Sequence, residues 1–184
     1  MKKIIILDYG LGNVMSVKNA CKFFEKNSNI SGDINLIDHA THLIVPGVGS
    51  YKEGMNNLKN KQLDEVVKNF YNSKRPILGI CLGLQLFFSS SEEHGITDGL
   101  DLIKGKVVSI KSKVKKSQKI PIIGWKDLIF KKNIEKKYNL EHLKNVFYFD
   151  HSFMVEPQNK DIVKASYYLN NLDIPSIVEN DNFF

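Results

Sequence analysis

The sequence predicts an α/β fold: a mostly parallel central sheet flanked by helices, with an antiparallel extension. Three observations carry this. In the first half, short apolar runs alternate with segments of helical periodicity, as a sheet covered on both faces requires. The second half gives short β-like runs with little helix between them. No linker, repeat or low-complexity stretch separates the halves, so the 184 residues read as one domain, long enough for a substantial core.

Taken in order, KIIILD (3–8) is nearly all apolar, which suits a strand buried on both faces, and GLGN ends it. Val14, Val17, Ala20, Cys21 and Phe24 recur at helical spacing and predict a helix over 14–24 with Cys21 in the core. INLID (34–38) and HLIVPG (42–47) read as short strands, and residues 55–70 as one helix. PILGIC (76–81) is a third apolar run, closed by a helix through Phe88. KVVSI (106–110), PIIGW (121–125), LIF (128–130), VFYFDHSFMV (146–155), IVKASYYL (162–169) and PSIV (175–178) supply the antiparallel part, expected to extend the same sheet.

Composition narrows the class. Hydrophobic residues at 42% and charged residues at 25% are the balance of an ordinary globular protein. Two cysteines, Cys21 and Cys81, argue against a disulfide framework and fit a reducing compartment. The apolar run after the basic start is too short for a signal peptide, and no run approaches a membrane span, so a cytoplasmic protein is expected. The net charge of +6 is concentrated in residues 104–137, where twelve lysines face only Asp127 and Glu135. Phe130 and Tyr138 are isolated there, so the lysines form no aromatic platform for nucleic acid and read as a solvated surface.

RPILGICLGLQLFF (75–88) sets one cysteine between glycines where an apolar run changes its period. A strand that turns at once into a helix holds its corner residue in a strained conformation and projects the side chain outward. Flanking glycines let neighbouring backbone approach that corner. Cys81 would then stand at a helix N-terminus, where the macrodipole and free N–H groups favour a thiolate. Taken alone, the motif fits a nucleophile and a buried structural cysteine equally. VPGVGSYKEGM (45–55) follows a strand-like run, so it belongs at a strand's carboxyl end, where open α/β sheets bind ligands. Gly47 and Gly49 allow its peptide N–H groups to turn toward an oxyanion, which points to acyl transfer.

ILDYGLGN, VPGVGSYKEGM, GICLGLQLFFSSSEE and FYFDHSFMV occur in this order along nearly the whole chain. In this the chain resembles the class I (triad-type) glutamine amidotransferases, a flavodoxin-like α/β fold. Within them it is most similar to glutaminase subunits of imidazole glycerol phosphate synthases. The resemblance implies that Cys81 attacks the side-chain amide of glutamine to form a γ-glutamyl thioester. Gly47, Val48, Gly49 and the Leu82 N–H would form the oxyanion hole. Gln85, Glu93, His151, Ser152 and Phe153 would line the glutamine pocket, with His151 a substrate neighbour rather than the base. Asn13 and Trp125 would face a (β/α)8-barrel cyclase partner that receives the ammonia; a core position for Trp125 fits the sequence equally. No cofactor or metal is implied: His39 and His42 have no third ligand nearby.

Three departures bear on this reading. The family takes its base and the carboxylate that orients it from a His-Pro-Glu motif. IPSIVENDNFF (174–184) matches the approach to it, and the motif is absent from the 184 residues. The triad His and Glu, with a C-terminal strand and helix, are therefore expected beyond Phe184; the alternative is a catalytically dead interaction module. Ile122 stands where the family usually has histidine and Lys126 where it usually has asparagine. A paralogue feeding ammonia to a sugar amidotransferase, for surface-polysaccharide or flagellar sugars, fits those two changes.

Overall fold

The first apolar run folds as β1 (Ile4–Leu7), with Ile5, Ile6 and Leu7 fully buried. It is followed by α1 (Val14–Phe23), β2 (Ser28–Ser31), α2 (Ile34–Asp38), β3 (His42–Val45), α3 (Tyr51–Asn60), α4 (Leu63–Asn72) and β4 (Ile77–Gly79). These belong to a computed structural model that describes residues 2–131, 134–137 and 145–181. The strands form a parallel sheet in the order β2-β1-β3-β4. The chain continues through α5 (Leu82–Gln85), β5 (Phe88–Ser91), β6 (Thr97–Asp98), β7 (Ile103–Ser109), β8 (Ile122–Asp127), β9 (Ile129–Phe130), α6 (Ile134–Lys137), β10 (Val146–His151), β11 (Phe153–Pro157), β12 (Val163–Leu169) and β13 (Leu172–Val178). Tyr138, His142, Phe183 and Phe184 lie outside the described residues.

The α/β class holds, and local corrections have identifiable causes. INLID is not a strand but α2: the Asp33 carboxylate accepts from the N–H groups of Asn35 and Leu36 at 2.8 and 3.3 Å, which caps a helix before a strand can propagate. The outer partner of β1 is instead the polar segment Ser28–Ser31, an edge strand with no apolar alternation to betray it. The single helix expected over 55–70 is two. Ser50 caps α3 through the Glu53 N–H, and Gln62 at φ 57° breaks the chain before α4. Both helices bury one stripe: Tyr51, Gly54, Met55 and Leu58 on α3, and Leu63, Val66, Val67 and Phe70 on α4.

The expected core face of α1 is not realised. None of its residues is fully buried, Cys21 is half-buried, and Phe24 is 67% exposed. The helix after Cys81 stops at Gln85 rather than reaching Phe88. Leu86, Phe87 and Phe88 are all completely buried, and three consecutive buried side chains exceed one helical stripe.

The antiparallel half is divided rather than continuing the first sheet. β11, β7, β5 and β6 form one sheet, with β5 parallel to β7; β10 pairs with β8; and β13, β12 and β9 form a third ladder. VFYFDHSFMV, expected as one run, is interrupted at Ser152, so β10 and β11 pair with different partners. One core cluster joins the parallel sheet to α2–α4 and to β5, β7 and β11. A second, with Ile122, Met154, Tyr167 and Ile174, lies between β8, β11, β12 and β13. Among the described residues no helix is long and apolar enough to cross a membrane.

The edge where β3 meets α5 depends on backbone lying directly on backbone. A methyl group on Gly83 would overlap the Val45 carbonyl oxygen, which itself accepts from the Ile80 N–H at 3.0 Å. Gly83→Ala is therefore expected to lower stability by about 1–3 kcal/mol or more, read from urea unfolding midpoints.

Candidate active site

Cys81 occupies the corner between β4 and α5 at φ 55° and ψ −117°, a region that costs a non-glycine residue about 1–3 kcal/mol. The corner is fixed on both sides: Ile80 N–H donates to Val45, Gly83 N–H to the Ile80 carbonyl, and Gln85 N–H to the Cys81 carbonyl. The cysteine is open to solvent along one side. Surrounding atoms nonetheless desolvate its sulfur, and burial pushes the thiol above its ordinary range. The Leu82 N–H pulls it back and the charge of Asp150 pushes it up further. In this setting the thiol is predominantly protonated at neutral pH, so attack on an amide calls for a base.

The loop after β3 reaches the same corner. Gly47 is buried; a methyl on it would lie 2.5 Å from Tyr9 Oη, 2.8 Å from the Gly83 nitrogen and 2.9 Å from Leu82 Cβ. Gly49 takes φ 106°, open only to glycine without strain, and Val48 between them is exposed. The fold thus brings Gly47, Leu82 and Cys81 together, with Val48 and Gly49 carried at the rim.

A second cluster gathers around one carbonyl. The Phe153 oxygen accepts from His151 Nδ1–H at 2.7 Å and from Gln85 Nε2 at 3.5 Å. His151 Nε2 accepts from the Tyr167 hydroxyl at 2.8 Å, and burial pushes that phenol up to about 12. Both imidazole nitrogens are occupied, and burial lowers the histidine below its ordinary range. His151 is thus held as a neutral imidazole between the Phe153 carbonyl and the Tyr167 hydroxyl. Ser152 contributes its carbonyl to the Ile110 N–H at 3.0 Å.

Glu93 is tied to α3. Its carboxylate accepts from the Tyr51 N–H at 2.6 Å, which anchors the first turn of α3. Asn13 is exposed and spends its side-chain oxygen capping α1 through the Ser16 N–H at 3.1 Å. Trp125 is not a core residue: it is 68% exposed and packs edge-on against Tyr148 at 5.5 Å, beside exposed Ile123, Val146 and Phe147. His39 and His42 are engaged locally, with the Asn35 carbonyl and the Thr41 hydroxyl.

Sequence reasoning missed three tyrosines that build the site. Tyr9, Tyr51 and Tyr167 are among the largest completely buried side chains. The signal present was a polar aromatic in or beside an apolar run, as in ILDYG and KASYYL, which buries its ring and needs a partner for its hydroxyl. Tyr167 has that partner in His151. Tyr9 Oη has none among the described residues, an arrangement that costs about 1–3 kcal/mol.

Residues 9–184 match the family model described as glutamine amidotransferase class-I. The chain is 38% identical over 181 residues to the imidazole glycerol phosphate synthase subunit HisH of Geobacillus sp. (strain WCH70), covering 97% of this chain and 84% of that relative. It is 37% identical over 191 residues to subunit HisH 1 of Legionella pneumophila (strain Paris), covering 100% of this chain and 89% of the relative. A solved structure described as a glutamine amidotransferase superposes with a TM-score of 0.72 at 15% identity, over 97% of this chain and 86% of the other. At that identity the likeness speaks for the fold alone.

The His151 strut should be visible in the pH dependence of stability. Its folded-state pKa is depressed, while the unfolded chain protonates it near 6.5. Its contribution is thus complete above that pH and is lost as the pH falls through it. His151→Asn is expected to destabilise the protein by about 1–3 kcal/mol at about pH 7.5. The gap to wild type should narrow toward about pH 5.5 in thermal melts.

Proposed function

This chain belongs to the class-I glutamine amidotransferases, and from that premise we propose that it is the glutaminase subunit of an imidazole glycerol phosphate synthase, working in histidine biosynthesis. The observation that carries the reading is the contact at the sheet edge. A cysteine at a positive-φ corner has the next residue's N–H on its sulfur and a glycine loop packed against that same residue.

In the proposed reaction, Cys81 Sγ adds to the side-chain carbonyl carbon of glutamine while its proton passes to a base. The carbonyl oxygen becomes an oxyanion held by the Leu82 N–H and the Gly47–Val48–Gly49 loop. The carbon–nitrogen bond breaks, nitrogen leaves as ammonia with the proton returned to it, and a γ-glutamyl thioester remains. Water then cleaves the thioester, giving glutamate and restoring the thiol. Gln85, Glu93 and the 151–153 segment form the wall on which the glutamine lies. Burial leaves the Cys81 thiol protonated, so the reaction calls for a base, and the triad of the family implies a histidine for that role.

The ammonia goes to a (β/α)8-barrel cyclase subunit. Trp125, Tyr148, Ile123 and Val146 offer an exposed apolar surface of the composition that anchors protein interfaces. Asn13, at the exposed start of α1, is a second proposed contact with that partner. The chain acts as one amidotransferase domain, and its two free cysteines, Cys21 and Cys81, suit a cytoplasmic setting. Ile122, one of the two departures that suggested a sugar acceptor, is a 4% exposed member of the second core cluster, so packing accounts for it. The two relatives named above carry the histidine-pathway name.

Two measurements test this. Incubation with glutamine and the cyclase subunit should give a γ-glutamyl adduct on Cys81 by mass spectrometry, and Cys81→Ala should reduce glutamine turnover by at least about a thousandfold; turnover that survives the substitution would overturn the reading. Trp125→Ala should leave the melting temperature essentially unchanged, because the side chain is exposed. It should weaken cyclase binding by about tenfold or more in a titration.

A further inference from the structure

Along β8 and β10 the register pairs Asp127 with Val146, Trp125 with Tyr148 and Ile123 with Asp150. Paired residues share a face and side chains alternate along a strand, so these six lie on one face of the ladder, with Lys126 on the other. All six are exposed. The face is an apolar strip with a carboxylate at each end. Neither Asp127 nor Asp150 makes an ion pair among the described residues, although residues 104–137 hold twelve lysines and the chain carries a net charge of +6. On so basic a chain, two acids flanking Trp125 and Tyr148 fit a partner that brings positive charge to the rim of an apolar contact. Asp150 also reaches inward, because its charge acts on the Cys81 sulfur.

We propose that Asp150 couples partner docking to the nucleophile: a lysine or arginine of the cyclase, seated beside Trp125, pairs with the Asp150 carboxylate and cancels its charge at Cys81. A second cation would meet Asp127, which lies four residues along the ladder, about 13 Å away at the rise of a strand. In the free chain an unpaired negative charge stands near the sulfur and opposes the ionisation that attack on an amide requires. Pairing removes that opposition, so the thiol gives up its proton more readily once the acceptor of the ammonia is in place. Of the three influences on the sulfur, burial, the Leu82 N–H and Asp150, the last alone belongs to a side chain exposed on the proposed partner face. The inference rests on the proposed reading of the chain as a glutaminase with a cyclase partner.

The test compares the wild-type chain with Asp150→Asn, which keeps the shape of an exposed side chain and should leave the melting temperature unchanged. Without the cyclase, iodoacetamide should alkylate Cys81 of the variant about twofold faster or more at about pH 7.5. In a titration at low salt the variant should bind the cyclase about threefold more weakly or worse, and the difference should shrink at about 0.5 M salt. At saturating cyclase, the factor by which the partner raises glutamine hydrolysis should be smaller for the variant than for the wild type. Alkylation or cyclase binding equal to wild type would overturn the coupling. So would a raised KM for glutamine with cyclase binding intact, which would assign the carboxylate to the substrate's ammonium group. A wild-type chain that neither binds the cyclase nor hydrolyses glutamine would instead remove the function reading, and the coupling with it.

Discussion

The site depends on one constraint: the first turn of α5 lies with its backbone on the end of β3, with no side chain between them. Gly83 over the Val45 carbonyl and Gly47 against the Gly83 nitrogen set that distance. It holds Cys81 in a conformation that a free chain would leave at once, so the local strain is sustained by the surrounding core. Leu82, Leu86 and Phe87 below the corner, with Met55 and Leu58 from α3, supply the burial that keeps it closed.

Electrostatics divide the labour within the site. Desolvation and the charge of Asp150 work against a Cys81 thiolate, and the Leu82 N–H works for it. In the proposed reaction, a thiol so held reacts when a base arrives and the oxyanion donors are in place. That arrangement suits a subunit whose ammonia is useful only to a partner. Both ring nitrogens of His151 are engaged, Nδ1 with the Phe153 carbonyl that Gln85 Nε2 also reaches and Nε2 with the Tyr167 hydroxyl.

The ladder of β8 and β10 joins this pocket to the outer surface. Pairing is antiparallel with Ile122 opposite His151 and Trp125 opposite Tyr148. Because side chains alternate across a strand, the first pair points toward the second core and the other pair toward solvent. A partner seated on Trp125 and Tyr148 would therefore press on the strand that carries His151 through three residues of backbone, a short and stiff connection.

The sequence by itself determined the alternation of strand and helix, the parallel first sheet, the Cys81 corner and the glycine loop that meets it. Each is written in local terms: an apolar run, a helical stripe, a glycine where a Cβ would not fit. It misread INLID because a single capping carboxylate outweighed the apolar pattern, and it overlooked β2 because an edge strand needs no apolar face. Only the tertiary structure decided that Trp125 faces outward, that Glu93 accepts from the Tyr51 N–H, that both nitrogens of His151 are engaged, and that Tyr9 lies against Gly47 with its hydroxyl unpartnered among the described residues. Those are pairings between side chains and backbone far apart along the chain. No periodicity or local motif encodes which partner a buried polar group will find when the layers close.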